Sequence, residues 1–196
     1  MKKSLLCFLI LLLVPLASMA YDFEVDGIYY KLTGSSSVAV TYKSNDTHPY
    51  YGHITIPSTV NYNNKSYAVT SIGDWAFDDC WFLTSITIPK GVTSIGESAF
   101  TSCSGLTSIT IPEGVTSIGE FAFSYCSGLT SINIPDGVTS IGEEAFEACS
   151  SLTSINIPDG VASIGREAFY ACSSLTSITI PEGVTSIGDR AFWRCI

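Results

Sequence analysis

Six cysteines, Cys80, Cys103, Cys126, Cys149, Cys172 and Cys195, follow one another at steps of 23 residues. A thiolate can ligate a metal, exchange disulfides or attack an electrophile. The spacing argues against a metal: zinc sites need ligands two to four residues apart, and the two histidines, His48 and His53, both precede the first of these cysteines. An even number of cysteines in an exported chain usually means disulfides. Here each cysteine holds the same slot of a repeated unit, so a ladder of buried free thiols packed as small apolar groups is expected. Bridges between neighbouring units remain open if the spacing meets the strict geometry of a disulfide.

Other reactive groups are thinly spread. No serine or cysteine nucleophile can be tied to His48 or His53, because every repeat serine has equivalents in the other units. Asp74, Asp78 and Asp79, and again Glu143, Glu144 and Glu147, form acidic clusters. Either could attract calcium, but neither has the spacing of a defined loop, so solvated acidic faces are expected. The chain is therefore read as a non-enzyme with no cofactor and no metal.

Two sets of residues suit binding better than catalysis. Variable positions of the unit carry Trp75, Phe121, Tyr125, Tyr170 and Trp193. Exposed aromatics are favoured anchors at protein interfaces, and they also pack over thin walls. Regular positions carry Ser85, Ser108, Ser131, Ser154 and Ser177 beside Thr87, Thr110, Asn133, Asn156 and Thr179. Such a grid of hydroxyls and amides is either a solvated strand face or a surface for a glycan or protein. The candidate ligand-binding residues are Phe121, Tyr125, Tyr170 and Trp193, with Thr110, Asn133 and Asn156.

The elements that must position these residues follow from the period. One unit reads A-F-x-x-C-x-x-L-T-S-I-x-I-P-x-G-V-x-S-I-G-x-x, in five complete copies from Ala76 to Arg190, with a sixth beginning at Ala191. A fixed period of this length marks a solenoid. Leu106, Ile109 and Ile111 alternate as in a half-buried strand, with Ser108 and Thr110 pointing outward. Pro112 stops the strand and Gly114 turns the chain. Val115 and Ile118 return inward, and Ala122, Phe123 and Cys126 fit one face of a single helical turn. If that turn is helical, Phe121 and Tyr125 touch at i and i+4. No unit can bury its inward face alone, so the units must stack.

Residues 21–68 differ. Phe23–Tyr30 alternates around Asp26-Gly27, a hairpin signal. Val38–Tyr42 alternates again, Ile54–Pro57 copies the repeat strand, and Asn61–Tyr67 reads as an inserted hairpin. This stretch is taken as a β-rich cap before the solenoid at 69–196. Trp81 and Phe82 replace the Ser-Gly or Ser-Ser of later units and are expected to pack against the N-terminal hairpin. The chain stops at Ile196, just past Cys195, so self-association through an uncapped edge is a further expectation.

Residues 1–20 have the pattern of a secretory signal peptide: Lys2 and Lys3, an apolar run from Leu5 to Leu16, and small residues before a cut after Ala20. Once they are removed, seven basic residues face eighteen acidic ones, a net charge of −11. So acidic a surface repels nucleic acid and anionic lipid. Asn45-Asp46-Thr47 and Asn64-Lys65-Ser66 match the N-glycosylation pattern, which matters only in a eukaryotic secretory path.

The segments Ser94-Ile95-Gly96, Ala99-Phe100, Cys103 and Leu106–Pro112, repeated from about Val69 to Cys195, resemble the BspA-like bacterial surface class of leucine-rich repeats. The resemblance implies an α/β repeat: a leucine-rich-repeat solenoid with short strands and a short helical turn per 23-residue unit, preceded by a small β-hairpin cap. It also implies a secreted or cell-surface protein. Several such proteins act as adhesins toward host matrix proteins or other cells, and no catalytic motif comes with the family. The function expected is therefore adhesin-like binding of an extracellular or cell-surface protein. A glycan-binding module and a structural or assembly unit are the alternatives.

Overall fold

A computed structural model describes residues 20–43 and 50–195. The signal peptide read over 1–20 lies outside these apart from Ala20, as do His48 and the sequon at Asn45.

The cap is antiparallel. Strands β1 (Phe23–Val25) and β2 (Ile28–Leu32) pair across Asp26-Gly27, both with left-handed φ (51° and 77°). That is the conformation a two-residue hairpin needs, and Asp-Gly adopts it at little cost. Strand β3 (Ser37–Thr41) adds antiparallel to β2. Strands β5 (Thr59–Tyr62) and β6 (Lys65–Ile72) form the second hairpin, turning at Asn63-Asn64. Strand β6 also pairs parallel with β3, which joins the cap to the coils without a seam.

From β6 onward the chain winds in coils. One side of each coil is a two-residue Ser-Ile strand: β8 (Ser94–Ile95), β10 (Ser117–Ile118), β12 (Ser140–Ile141), β14 (Ser163–Ile164) and β15 (Ser186–Ile187), in parallel register after β6. The opposite side holds β4 (Gly52–Thr55) with β7 (Leu83–Thr87), then β9 (Ser108–Thr110), β11 (Ser131–Asn133) and β13 (Ser154–Asn156). In that last set Ser108, Ser131 and Ser154 align, and so do Thr110, Asn133 and Asn156. Threonine hydroxyls latch successive coils: Thr130 Oγ1 donates to the Thr107 carbonyl and Thr153 Oγ1 to that of Thr130, both at 3.2 Å.

The third side corrects the helical turn expected from sequence. Among the described residues there is no helix. The N–H groups of Ser98, Phe100 and Ser102 donate to the carbonyls of Glu120, Ala122 and Ser124 on the next coil, each at 2.8 Å. Between them, Thr101 and Cys103 close three-residue turns on Ser98 and Phe100. Two residues per coil take left-handed φ, for example Ser98 and Ser102, then Phe121 and Tyr125. A single helical turn is poorly stable alone, because nucleation fixes several residues for one hydrogen bond. A neighbouring coil offers every second N–H a partner instead. The inward pattern of Ala122, Phe123 and Cys126 suits either conformation, which is why sequence spacing alone misreads it.

The core of a coil is Leu106, Ile109, Ile111, Val115, Ile118, Ala122, Phe123 and Cys126, all buried. Phe77, Phe100, Phe123, Phe146, Phe169 and Phe192 stack with centroids 5.0–5.4 Å apart and planes within 5°. Tyr50 begins the column, 4.6 Å from Phe77. Its hydroxyl receives the Tyr29 N–H (3.1 Å) and donates to the Thr41 carbonyl (2.9 Å). The six thiols are unbridged, and Cys195 alone of them is half-buried. Cys103, Cys126, Cys149 and Cys172 donate to phenylalanine carbonyls at 3.1–3.2 Å. Burial pushes the thiols of Cys80 and Cys172 up to about 12, and those of Cys103, Cys126 and Cys149 well above the ordinary value. They are poor nucleophiles in the folded chain.

The glycines of the Ser-Ile-Gly corners fit only because they lack a side chain. A Cβ on Gly119 would lie 2.6 Å from the Gly96 backbone. Neighbouring backbones can approach this closely only at glycine.

Candidate functional site

Three surfaces carry the residues singled out. The first is the turn side. Tyr125 is 52% exposed and sits at left-handed φ, where the next two coils place Ala148 and Ala171. Its hydroxyl donates to Glu147 Oε1 (3.3 Å), and the buried Ser124 hydroxyl donates to Glu147 Oε2 (3.1 Å). The Glu147 charge, with some desolvation, raises the Tyr125 pKa. Phe121 is half-buried, and its carbonyl accepts the Thr101 hydroxyl at 2.8 Å. Among the described residues no ring contact joins Phe121 to Tyr125, so the i, i+4 pair expected of a helix does not form.

Further along this side, Tyr170 and the 56%-exposed Trp193 hold equivalent positions on successive coils. Arg194 lies over the Tyr170 ring and Arg190 over the Trp193 ring, each 5.8 Å from the centroid. Arg166 bonds Glu143 and Glu144 and lies 3.1 Å from Glu167, which Arg190 reaches at 3.4 Å. The structure thus brings Tyr170 and Trp193 together under arginines. It leaves Tyr125 two coils away, about 10 Å at strand spacing. All three arginines of the chain belong to this half of the side, while Asp74, Asp78, Asp79 and Glu97 lie at its other end.

The second surface is the strand side. Thr110, Asn133 and Asn156 form one exposed row, parallel to Ser108, Ser131 and Ser154. Thr55 pairs with Thr87, and His53 with Ser85, in the adjoining two-stranded sheet. The His53 ring is held at both nitrogens, 2.7 Å from Ser85 Oγ and 3.0 Å from Thr55 Oγ1. A cleft of about 530 Å³ opens where β7 and β9 lie side by side without pairing, lined by Thr87, Lys90, Thr110 and Glu113 among others.

The third surface is a corner that sequence reasoning assigned otherwise. Trp81 and Phe82 do not bury themselves against the hairpin: they are 49% and 76% exposed. Tyr51, just before β4, is 74% exposed. With Tyr50 and Asp79 these residues line a cleft of about 510 Å³. The Trp81 indole donates to Asp79 Oδ1 at 3.3 Å, and the Gly52 N–H donates to the Phe82 carbonyl at 2.8 Å. The sequence held a signal for it. Later units place Ser104-Gly105 and Ser127-Gly128 at this corner, where a Cβ on Gly105 would lie 2.5 Å from the Trp81 carbonyl oxygen. The first coil alone has two large aromatic residues there.

Among the described residues, no group of three or more histidine, cysteine or acidic side chains is placed to hold a metal, and no helix is long and apolar enough to cross a membrane.

Comparison with known proteins follows the same outline. A family model described as BspA type leucine rich repeat region matches residues 70–196 in six copies. A leucine rich cell surface protein from Faecalibacterium prausnitzii superposes with TM-score 0.66 at 33% identity, covering 88% of this chain and 52% of its own. A leucine-rich repeat protein of Bacteroides ovatus gives 0.53 at 28% identity, covering 89% and 57%. The leucine rich repeat protein of T. pallidum gives 0.70 at 25% identity, covering 85% and 81%. The chain spans little more than half the length of the first two. A search of curated proteins finds no match.

Proposed function

The chain belongs to the BspA-type leucine-rich repeat family, and we propose that it is an adhesin-like interaction protein, secreted or displayed at the cell surface, that binds a partner protein. Binding rather than catalysis suits a core filled by leucine, isoleucine, phenylalanine and protonated thiols. Export is supported by the lysines, apolar run and small residues of 1–20, and by the description of the F. prausnitzii relative as a cell surface protein.

The observation that carries the reading is Tyr125. Its left-handed slot is filled in the other coils by Asp79, Ser102, Ala148, Ala171 and Arg194, so the coil geometry itself does not call for a tyrosine. The ring is half in solvent and adds little burial to the fold. An exposed tyrosine on a rigid scaffold is a favourable interface anchor. Tyr170 and Trp193, with arginines against their rings, extend the same side toward a partner.

The test is solid-phase binding of the purified chain to a panel of extracellular matrix proteins, beside a triple variant Tyr125→Ser, Tyr170→Ser, Trp193→Ser. Saturable binding that the variant loses by about tenfold or more supports the reading. Binding that survives the triple change removes the turn side as its site.

A further inference from the structure

The corner of Tyr51, Trp81 and Phe82 is separate from the turn-side aromatics and calls for its own account. Three large, exposed aromatic side chains here border a cleft, at a place where later coils carry serine and glycine. Isolated exposed apolar residues are ordinary, whereas contiguous ones mark interaction sites.

The corner also runs directly into the polar strand side. Tyr51, His53 and Thr55 all face outward along one stretch of chain. Tyr51 lies just before β4, and Gly52, between it and His53, takes left-handed φ (68°) at a register shift in the β4–β7 pairing. Two residues after Tyr51 the chain carries an imidazole held at both nitrogens, with the Ser85 and Thr55 hydroxyls beside it.

We propose that Tyr51, Trp81 and Phe82, with the adjoining His53, Ser85 and Thr55, form a subsite for a neutral pyranose ring of a glycan. A pyranose has an apolar face of C–H bonds and a rim of hydroxyls. The aromatic corner matches the face and the polar row matches the rim. Among the described residues, and apart from tyrosines, the one ionisable side chain lining the cleft is Asp79, a carboxylate, and the chain after residue 20 carries −11. A uronic or sialic acid would meet repulsion here, which selects an uncharged sugar. A lysine or arginine of a protein partner, drawn by Asp79 and the aromatic faces, is the competing occupant, and the peptide arm of the test distinguishes it.

The test is native electrophoresis of the purified chain through gels containing mannan, xylan, mixed-linkage β-glucan or starch, with hyaluronan as the anionic gel and a lysine-rich peptide as competitor. Retardation in at least one neutral gel is expected. It should weaken about tenfold in Phe82→Ser and in Tyr51→Ser, and persist in the triple turn-side variant and against the peptide. Both changes fall on exposed side chains, so an unchanged thermal midpoint is expected and is measured alongside. Passage through every neutral gel without retardation, retardation by hyaluronan alone, retardation unchanged in Phe82→Ser, or displacement by the peptide each overturns the proposal. Because the triple variant leaves this corner intact, failure here is distinct from failure of protein binding on the turn side.

Discussion

Strands β1, β2 and β3 find partners across turns of two to four residues, whereas every coil bonds to residues about 23 positions away. The cap anchors one buried aromatic through its hydroxyl: Tyr50 is tied to Tyr29 and Thr41, and it heads the phenylalanine column. The coils bury phenylalanine and cysteine with no polar handle beyond the thiol. Local order in the cap can form first and present a finished edge, β3 with β6, on which the first coil is laid. The coils have no such independence: each is stable only on its neighbour.

That contrast can be broken most severely with alkali. A buried thiol binds its proton more tightly in the folded chain than in the unfolded one. The unfolded state therefore ionises first, from about pH 9, and stability falls as pH rises toward the folded value of about 12. Each such thiol removes up to about 1.4 kcal/mol per pH unit in that window. A thermal midpoint flat from pH 7 to 8.5 and falling steeply above 9 is expected, and replacing Cys103, Cys126 and Cys149 by alanine should flatten the fall. An equally steep fall in that variant would assign the alkaline loss to the groups it keeps, Cys80, Cys172 and the tyrosines of the cap.

Phe123→Ala removes the middle ring of the column and should cost about 3–5 kcal/mol in urea unfolding. Because coils depend on neighbours, a broadened transition or two separate ones are expected, with the cap and first coils persisting. A single sharp transition would mean the cap and coils melt as one unit. Tyr50→Phe is milder. It keeps the ring against Phe77 but leaves the buried Tyr29 N–H without its acceptor, for about 1–3 kcal/mol. Here cap and coils should lose stability together, since the column starts on that ring.

What could be read from sequence follows the same division. Asp26-Gly27 and the Asn61–Tyr67 stretch announce hairpins because their signals are local, and both form. The 23-residue step announces the coil and its inward slots, since those depend only on periodicity. The conformation of the turn side was not legible. Ala122, Phe123 and Cys126 point inward in a helix or in the ladder, and the choice rests on hydrogen bonds to another coil. Sequence alone ties no particular serine to His53, because every repeat serine has equivalents, and its place beside Ser85 comes from β4 pairing with β7 across 32 residues. Trp81 and Phe82 are expected from sequence to pack against the N-terminal hairpin, whereas they stand 49% and 76% exposed at the corner where Gly105 of the next coil approaches the Trp81 carbonyl.

The bonds between coils all run along the stacking direction, on all three sides. Tension applied at the two ends of the array therefore loads one seam at a time, as in a zipper, instead of shearing many bonds at once. A coil that lets go releases its 23 residues, roughly 8 nm of chain, before the next seam bears the load. An array built this way yields in steps under load and lengthens at nearly constant force.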